Sequence, residues 1–457
     1  MAKVIVCGVG QVGFRVARLL AQTGHKVTAL SLEIREEFEH QLEDYGVLVK
    51  KGDARSDRSL TEAGIATADA LIACTDDDLT NVEMSLDARR LNPKLNIVAR
   101  IFDQGLAARL EQTGVISRAL GTSVAAAPIF ANAAQGADLV SRFRYNGEPY
   151  GVKARENNLV VEVLHPLAST SNQPAKGKVT DFLKRFWRGA PPYLRNLLIL
   201  IVGVGAVSVL VFQYGLGISA IDSIYFVVTT LTTTGYGDIT TKDAAVWVKL
   251  YGCMLMLLGS AAIATLYSLL TDYIVSERFN QLMGRQSTSH DNHTIVAGLG
   301  NVGFRVASLL VEMNQDVVVI DNRSEPEYRS VLGDQVTFIM GDARDPITLE
   351  RAGVDRASAM IATTDNDAVN LSIGLAAKEA NPNCRIVTRM FDDRLAEKVE
   401  EAMRIDVALS ASKVAAPLFV AAAVEPAAIH AFFWENDLMV VLLEGGSFII
   451  RSLSKAT

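Results

Sequence analysis

Two glycine patterns in this chain of 457 residues put the peptide backbone, rather than a side chain, at the working surface. The first is Gly8-Val9-Gly10-Gln11-Val12-Gly13, repeated as Gly298-Leu299-Gly300-Asn301-Val302-Gly303. The first copy follows the apolar stretch AKVIVC, and both copies precede a helical pattern, FRVARLL or FRVASLL. In such a strand–turn–helix the first glycine permits the sharp turn and the second lets a phosphate approach the backbone. The third lets helix and strand pack closely, and the helix N-terminus offers free N–H groups to the anion. The second pattern is Thr232-Thr233-Thr234-Gly235-Tyr236-Gly237-Asp238. Glycine at alternate positions allows the positive or strained dihedrals that turn carbonyls toward a common axis.

The elements around these patterns follow from hydrophobic runs. Residues 194–213 are almost wholly apolar; at ~20 residues such a run makes a helix of ~30 Å, enough to cross a bilayer core. A second, longer apolar run covers 246–274, and neither run sits N-terminally as a signal peptide would. Lys184, Arg185, Arg188 and Arg195 precede or open the first run, while Arg278 and Arg285 follow the second. Positive charge at the outer ends of the pair predicts that both flanking regions are cytoplasmic. Trp187, Tyr193 and Trp247 are interface anchors on this reading. Gly259, in Leu258-Gly259-Ser260-Ala261-Ala262, is either a gating hinge of the second helix or a point of close packing.

The flanking regions are copies of one domain. Gly52-Asp53-Ala54-Arg55, Thr75-Asp76-Asp77-Asp78 and NPKLNIVARIFD recur 289 residues later as Gly341-Asp342-Ala343-Arg344, Thr364-Asp365-Asn366-Asp367 and NPNCRIVTRMFD. Repeats this long indicate a duplicated domain rather than a solenoid. Strands alternating with helices predict an α/β doubly wound, Rossmann-like fold for each copy, the two flanking an all-α two-helix unit. The predicted boundaries are 1–165, a linker over 166–192, the membrane unit over 193–274, a helical linker over 275–290, and 291–457.

A chain that is 49% hydrophobic with a net charge of −7 carries no basic footprint for nucleic acid. Cys7, Cys74, Cys253 and Cys384 form no CxxC pair, so neither a zinc site nor a disulfide framework is indicated. Asp76 and Asp78 are weak candidates for calcium, since consecutive carboxylates point in different directions. The other reading is that this run caps a helix starting near Leu79.

The Thr-Thr-Gly-Tyr-Gly-Asp stretch resembles a potassium-channel selectivity filter, and with the duplicated domain the chain resembles the two-helix potassium channels regulated by RCK/KTN domains. That resemblance implies a pore helix over Ile221–Leu231, potassium ions on the carbonyls of Thr233, Thr234, Gly235, Tyr236 and Gly237, and Asp238 at the outer mouth. Thr234 departs from the valine common in the family. It also implies a homotetramer with eight RCK domains in a cytoplasmic ring, and a multi-pass protein of the plasma (inner) membrane with both termini inside. The ligand implied is NAD(H) or another adenine nucleotide such as ATP or ADP. In the second copy the matching positions are Gly298, Gly300, Asn301, Val302, Gly303, Asp321, Asp342, Ala343, Thr364 and Arg389. In the first they are Gly8, Gly10, Gln11, Val12, Gly13, Asp53, Ala54, Thr75 and Arg100, with Ser31 where Asp321 would stand. A carboxylate there accepts both ribose hydroxyls, so the second copy is expected to bind more tightly; Glu33 restores the acid if the strand shifts.

The Ala-rich stretches around Pro128 and Pro417 resemble the family's intersubunit crossover, and the short tails after them imply that a full C-terminal lobe is missing. The second copy is expected to pull the inner helix through 275–290. The first, on its longer tether, is expected to act through the second, so deleting 1–165 should leave conduction intact. No catalytic residues are assigned and no enzymatic activity is expected. The alternatives are a membrane-anchored NAD-dependent oxidoreductase and a regulatory subunit of a separate potassium transporter.

Overall fold

The structure is a computed structural model that describes residues 1–136, 138–155, 158–164, 192–282 and 287–453. They form two units, one built from both ends of the chain and one from its middle. The linker expected over 166–192 falls almost wholly outside the described residues, as do Lys184, Arg185, Trp187 and Arg188 of the charge and anchor patterns.

In the first copy β1 (Lys3–Cys7), α1 (Gln11–Gln22), β2 (Lys26–Ser31), α2 (Glu36–Asp44), β3 (Leu48–Lys51) and α3 (Asp57–Glu62) make one half of the domain. The other half is β4 (Ala70–Ala73), α4 (Asp78–Leu91), β5 (Asn96–Arg100), α5 (Gln104–Gln112) and β6 (Arg118–Leu120). The sheet is parallel in the order β3-β2-β1-β4-β5-β6. Its order reverses between β1 and β4, and in such sheets the crevice at that reversal is where ligands bind. Val4, Ile5 and Val6 of β1 and Leu71 and Ile72 of β4 are buried, as expected of strands covered on both faces by helices. α6 (Thr122–Gln135) follows, then an antiparallel meander of β7 (Ser141–Tyr145), β8 (Glu148–Arg155) and β9 (Asn158–Val163).

Among the described residues the middle unit holds three helices, α7 (Pro192–Leu216), α8 (Ala220–Leu231) and α9 (Val246–Leu282). Arg195–Leu216 and Val246–Thr271 are long and apolar enough to cross a bilayer. Ile199, Leu200, Val202, Leu257 and Leu258 are exposed on them, an apolar surface suited to lipid rather than water. The short α8 is capped by Ser219, whose hydroxyl accepts the Asp222 N–H. It packs through Phe226 and Val227 against Phe212 and Leu255.

The second copy repeats the first: β10 (Thr294–Ala297), α10 (Asn301–Glu312), β11 (Val317–Asp321), α11 (Arg329–Leu332), β12 (Thr337–Met340), α12 (Pro346–Arg351), β13 (Ala359–Ala362), α13 (Asp367–Ala380), β14 (Arg385–Arg389), α14 (Asp393–Ala402) and β15 (Val407–Leu409). Its strand order, β12-β11-β10-β13-β14-β15, is the same. α15 (Ala411–Val424) and a meander of β16 (His430–Trp434), β17 (Asp437–Glu444) and β18 (Ser447–Ser452) complete it.

Three expectations change here. The Ala-rich helices exchange between the two copies of one chain, where the resemblance implied exchange between subunits. Ala415, Phe419 and Val420 of α15 join the core of the first copy with Val6, Val16 and Leu20. Ala126 and Phe130 of α6 join that of the second with Val306, Leu310 and Val319. Small residues let these helices lie close on the partner's α1 and α10, and Phe130 and Phe419 fill the space between. The short tails form the two meanders, which pack on each other through Phe143, Val152, Phe432 and Val441, with the Ser141 hydroxyl 2.8 Å from His430 Nε2. Finally, Thr288 to His290, at the end of the linker expected over 275–290, join the second copy. The Thr288 and Asn292 N–H groups donate to the Arg351 and Arg356 carbonyls, and His293 is fully buried against the Ala352 carbonyl.

Candidate functional site

The glycine turns are built as their spacing requires. Gly8 and Gly298 have φ of +89° and +91°, which a side chain disfavours. A Cβ on Gly13 or Gly303 would lie 1.9 Å from the carbonyl oxygen of Gly8 or Gly298, so the third glycine is required for helix and strand to pack. Gly10 and Gly300 face open space, which leaves room for a phosphate at the uncapped N-termini of α1 and α10. The residues present thus fit the pyrophosphate of a dinucleotide or the phosphate of a mononucleotide.

Both turns open on one cleft of about 1320 Å³ between the two copies. Gly8, Gly10, Gln11, Val12, Thr75 and Arg100 line it from the first copy. Gly298, Gly300, Asn301, Val302, Asp321, Asp342, Ala343, Thr364 and Arg389 line it from the second. Asp53 and Ala54 lie outside the wall, although Asp342 and Ala343 are in it; Asp53 is paired with Arg55, as Asp342 is with Arg344.

Ser31 and Asp321 occupy equivalent strand ends. The Val9 N–H donates to Ser31 Oγ at 3.3 Å, and the Leu299 N–H donates to Asp321 Oδ2 at 2.7 Å. The expectation that Asp321 stands ready for both ribose hydroxyls needs correction. Arg323 donates to it from its backbone N–H, Nε and Nη2 at 2.9, 2.9 and 3.0 Å. Burial pushes this carboxyl up, but the Arg323 and Leu299 hydrogen bonds outweigh it and the net shift is downward. A ribose hydroxyl at this carboxylate would have to displace Arg323, whose side chain is half exposed. Ser31 donates to the Glu33 carbonyl at 2.9 Å, and Glu33 lines the cleft two residues on.

Asp78, one of the two weak calcium candidates, is engaged in local hydrogen bonds. Its carboxylate accepts the Phe102 and Asp103 N–H groups at 2.9 to 3.1 Å, and Asp77 caps α4. Among the described residues no group of three or more His, Cys, Asp or Glu side chains is placed to hold a metal.

In the middle unit, α8 ends at Leu231, and the Thr234 and Gly235 N–H groups fold back to the Thr229 carbonyl. Thr233, Gly235 and Gly237 have φ of +60°, +51° and +80°, so every second residue is left-handed. A positive φ at alternate residues is the backbone pattern that allows successive carbonyls to turn to one side. Thr234, the departure from valine, shares a 2.9 Å hydrogen bond with Thr232, so its hydroxyl is satisfied. Tyr236 stacks on Tyr225 with ring centres 6.5 Å apart. A Cβ on Gly259 would meet Leu231 at 2.6 Å, and α9 continues unbroken through that glycine.

Comparison with known proteins agrees with this architecture. The TrkA-N domain model matches residues 4–119 and 294–411, together about half of the chain, and an ion-channel model matches 197–276. The chain belongs to the TrkA-N (RCK) family. It is a membrane protein in which two RCK domains flank an ion-channel domain. The voltage-gated potassium channel Kch of Escherichia coli is 30% identical over 187 residues, covering 40% of this chain and 44% of Kch. Potassium channel protein 1 of Methanocaldococcus jannaschii is 28% identical over 171 residues, 36% of this chain and 51% of that one. The chain thus spans about half the length of these curated relatives. The fold is that of the GsuK channel, solved bound to NAD (TM-score 0.54, 16% identity, 92% of this chain and 63% of that one). The GsuK structure bound to ADP gives 0.52 at 14% identity, over 93% and 70%.

Several residues at the RCK cleft were not singled out from sequence. Asn81 and Asn370 are fully buried and tie Thr75 and Thr364 to the carbonyls of Arg100 and Arg389, fixing the ends of the fourth and fifth strands. Their equal spacing from the threonine in both copies was the available signal. Arg15 reaches from the first RCK copy to Asp393, Ser412 and the Phe391 carbonyl of the second. Its counterpart Arg305 donates from Nη2 to the Phe102 carbonyl at 3.3 Å and lies over the Phe102 ring at 5.1 Å, and Gln104 stands at the sequence position equivalent to Asp393.

Proposed function

We propose that the chain is the pore-forming subunit of a potassium-selective channel whose conduction is set by an adenine nucleotide in the RCK cleft. The observation that carries this is the alternating left-handed backbone at Thr233, Gly235 and Gly237, between two helices long enough to span a bilayer. Carbonyls turned to one side replace the hydration shell of a cation only when several strips face one axis. The reading therefore requires four chains around one pore, and hence eight RCK domains on the cytoplasmic side with both termini. Residues Thr233 to Asp238 form the filter and outer mouth, and Gly259 gives α9 close contact with the pore helix as well as a place to bend.

The nucleotide is NAD(H), ADP or ATP, bound with phosphates on Gly298 to Gly303 and ribose toward Asp321 once Arg323 swings away. The first copy lacks this carboxylate and binds more weakly. A nucleotide changes conduction only if it binds the open and closed rings with different affinity. Purified protein in liposomes should pass potassium, with the rate changed by NAD(H) or ADP. Absence of flux under all nucleotide conditions would sink the proposal.

A further inference from the structure

One wall of the RCK cleft carries buried polar groups without a hydrogen-bond partner among the described residues. α6 starts behind Gly121 with no side chain capping it, over 14 residues, so its first N–H groups are free. Thr122 Oγ1 and Ser123 Oγ are buried there without a hydrogen-bond partner; Ser123 is only 4% exposed, and both residues line the cleft. Arg100 is beside them, because β5 and β6 pair it with Leu120, two residues before the helix. From the other copy, Arg389 lines the same cleft with its buried Nε unpaired. Burial lowers the Arg389 pKa; the Asp365 and Asp367 carboxylates oppose this, and the Arg100 charge adds to it.

The second copy shows what satisfaction looks like. Its related helix, α15, is capped by Ser410, and Ser412 Oγ accepts from Arg15 Nε at 2.9 Å. On the α6 side the corresponding pair, Arg305 Nε and Ser123 Oγ, are both orphaned. Buried donors and acceptors left unmade are costly, and a ligand that pairs with them recovers that cost. Of the nearby carboxylates that line the cleft, Asp78 is already committed to the Phe102 and Asp103 amides, and Asp76 and Asp365 stand beside Thr75 and Thr364.

We propose that the N-terminus of α6, with Thr122, Ser123, Arg100 and Arg389, is an oxyanion subsite separate from the glycine turns and present once per chain. Its ligand is a phosphate group, either the terminal phosphate of a nucleotide held on a glycine turn or a free inorganic phosphate. The first source rests on the nucleotide reading; the second does not. Calorimetry on the full chain in nanodiscs, with AMP, ADP and inorganic phosphate as probes, separates them. Ser123→Ala should weaken ADP about fivefold or more while AMP changes less than about twofold, or should weaken inorganic phosphate by the same factor. Thr122→Val should repeat the effect. Ser412→Ala should lower the melting temperature without changing phosphate affinity. Equal loss for AMP and ADP, or no Ser123-dependent binding of any probe, overturns the subsite. If wild type binds inorganic phosphate through Ser123 but neither nucleotide, the nucleotide reading fails and the subsite stands.

Discussion

At the scale of single residues, the contrast between Asp321 and Ser31 tests the proposed difference in nucleotide affinity between the two copies. Asp321→Ala removes a buried acceptor from the ribose position and leaves the Leu299 N–H unpaired. It should weaken adenine-nucleotide binding by roughly 1.5–3 kcal/mol, against little change for Ser31→Ala; equal affinities by calorimetry would remove the asymmetry. The Asp321 position was legible from the glycine turn and strand length. Its pairing with Arg323 was not, because a salt bridge two residues apart depends on how the loop turns after β11.

A second residue-scale prediction concerns His430, buried against Ser141, where desolvation lowers its pKa to about 3. A histidine neutral in the fold and free to protonate when unfolded stabilises the protein above pH ~6.5, and that stability falls as pH drops toward 3. The slope approaches about 1.4 kcal/mol per pH unit for a group of this kind. His430→Gln should flatten the acid limb of a melting-temperature profile between pH 6.5 and 4; an unchanged limb would place the acid sensitivity elsewhere.

At the scale of elements, α8 spans Ala220–Leu231, close to the helix read from sequence, because its apolar run stops where the glycine loop begins. Gly259 was ambiguous in sequence, and the Leu231 side chain beside it explains its small size. Gly259→Ala should shift α8 or α9 and reduce flux while leaving the RCK melting transition unchanged; full flux would show that the contact is slack. Residues 287–290 read as linker because they are polar, yet the Thr288 N–H donates to the Arg351 carbonyl and attaches them to the second RCK domain. Polar composition marks a linker only where no neighbouring backbone is available to pair with it.

At the scale of the whole molecule, the duplication was visible in the repeated motifs, but the exchange of α6 and α15 was not. An apolar helix announces that it is buried without saying against what. This exchange changes the expectation for removing residues 1–165, which was that conduction would survive. The deletion uncovers Phe419 and Val420, so the truncated protein should aggregate rather than conduct. Phe419→Ala alone should cost about 3–5 kcal/mol, seen as loss of the first copy's folding although the residue belongs to the second. A soluble, conducting truncation would contradict the exchanged packing.

The filter is the claim on which the channel reading stands. Its most direct test is ion flux from the purified chain in liposomes, comparing potassium with sodium for wild type and Gly237→Ala. The left-handed backbone at Gly237 predicts potassium well above sodium for wild type, and loss of that preference or of the current in the variant. Equal potassium and sodium flux in wild type, or undiminished selectivity in Gly237→Ala, would contradict it.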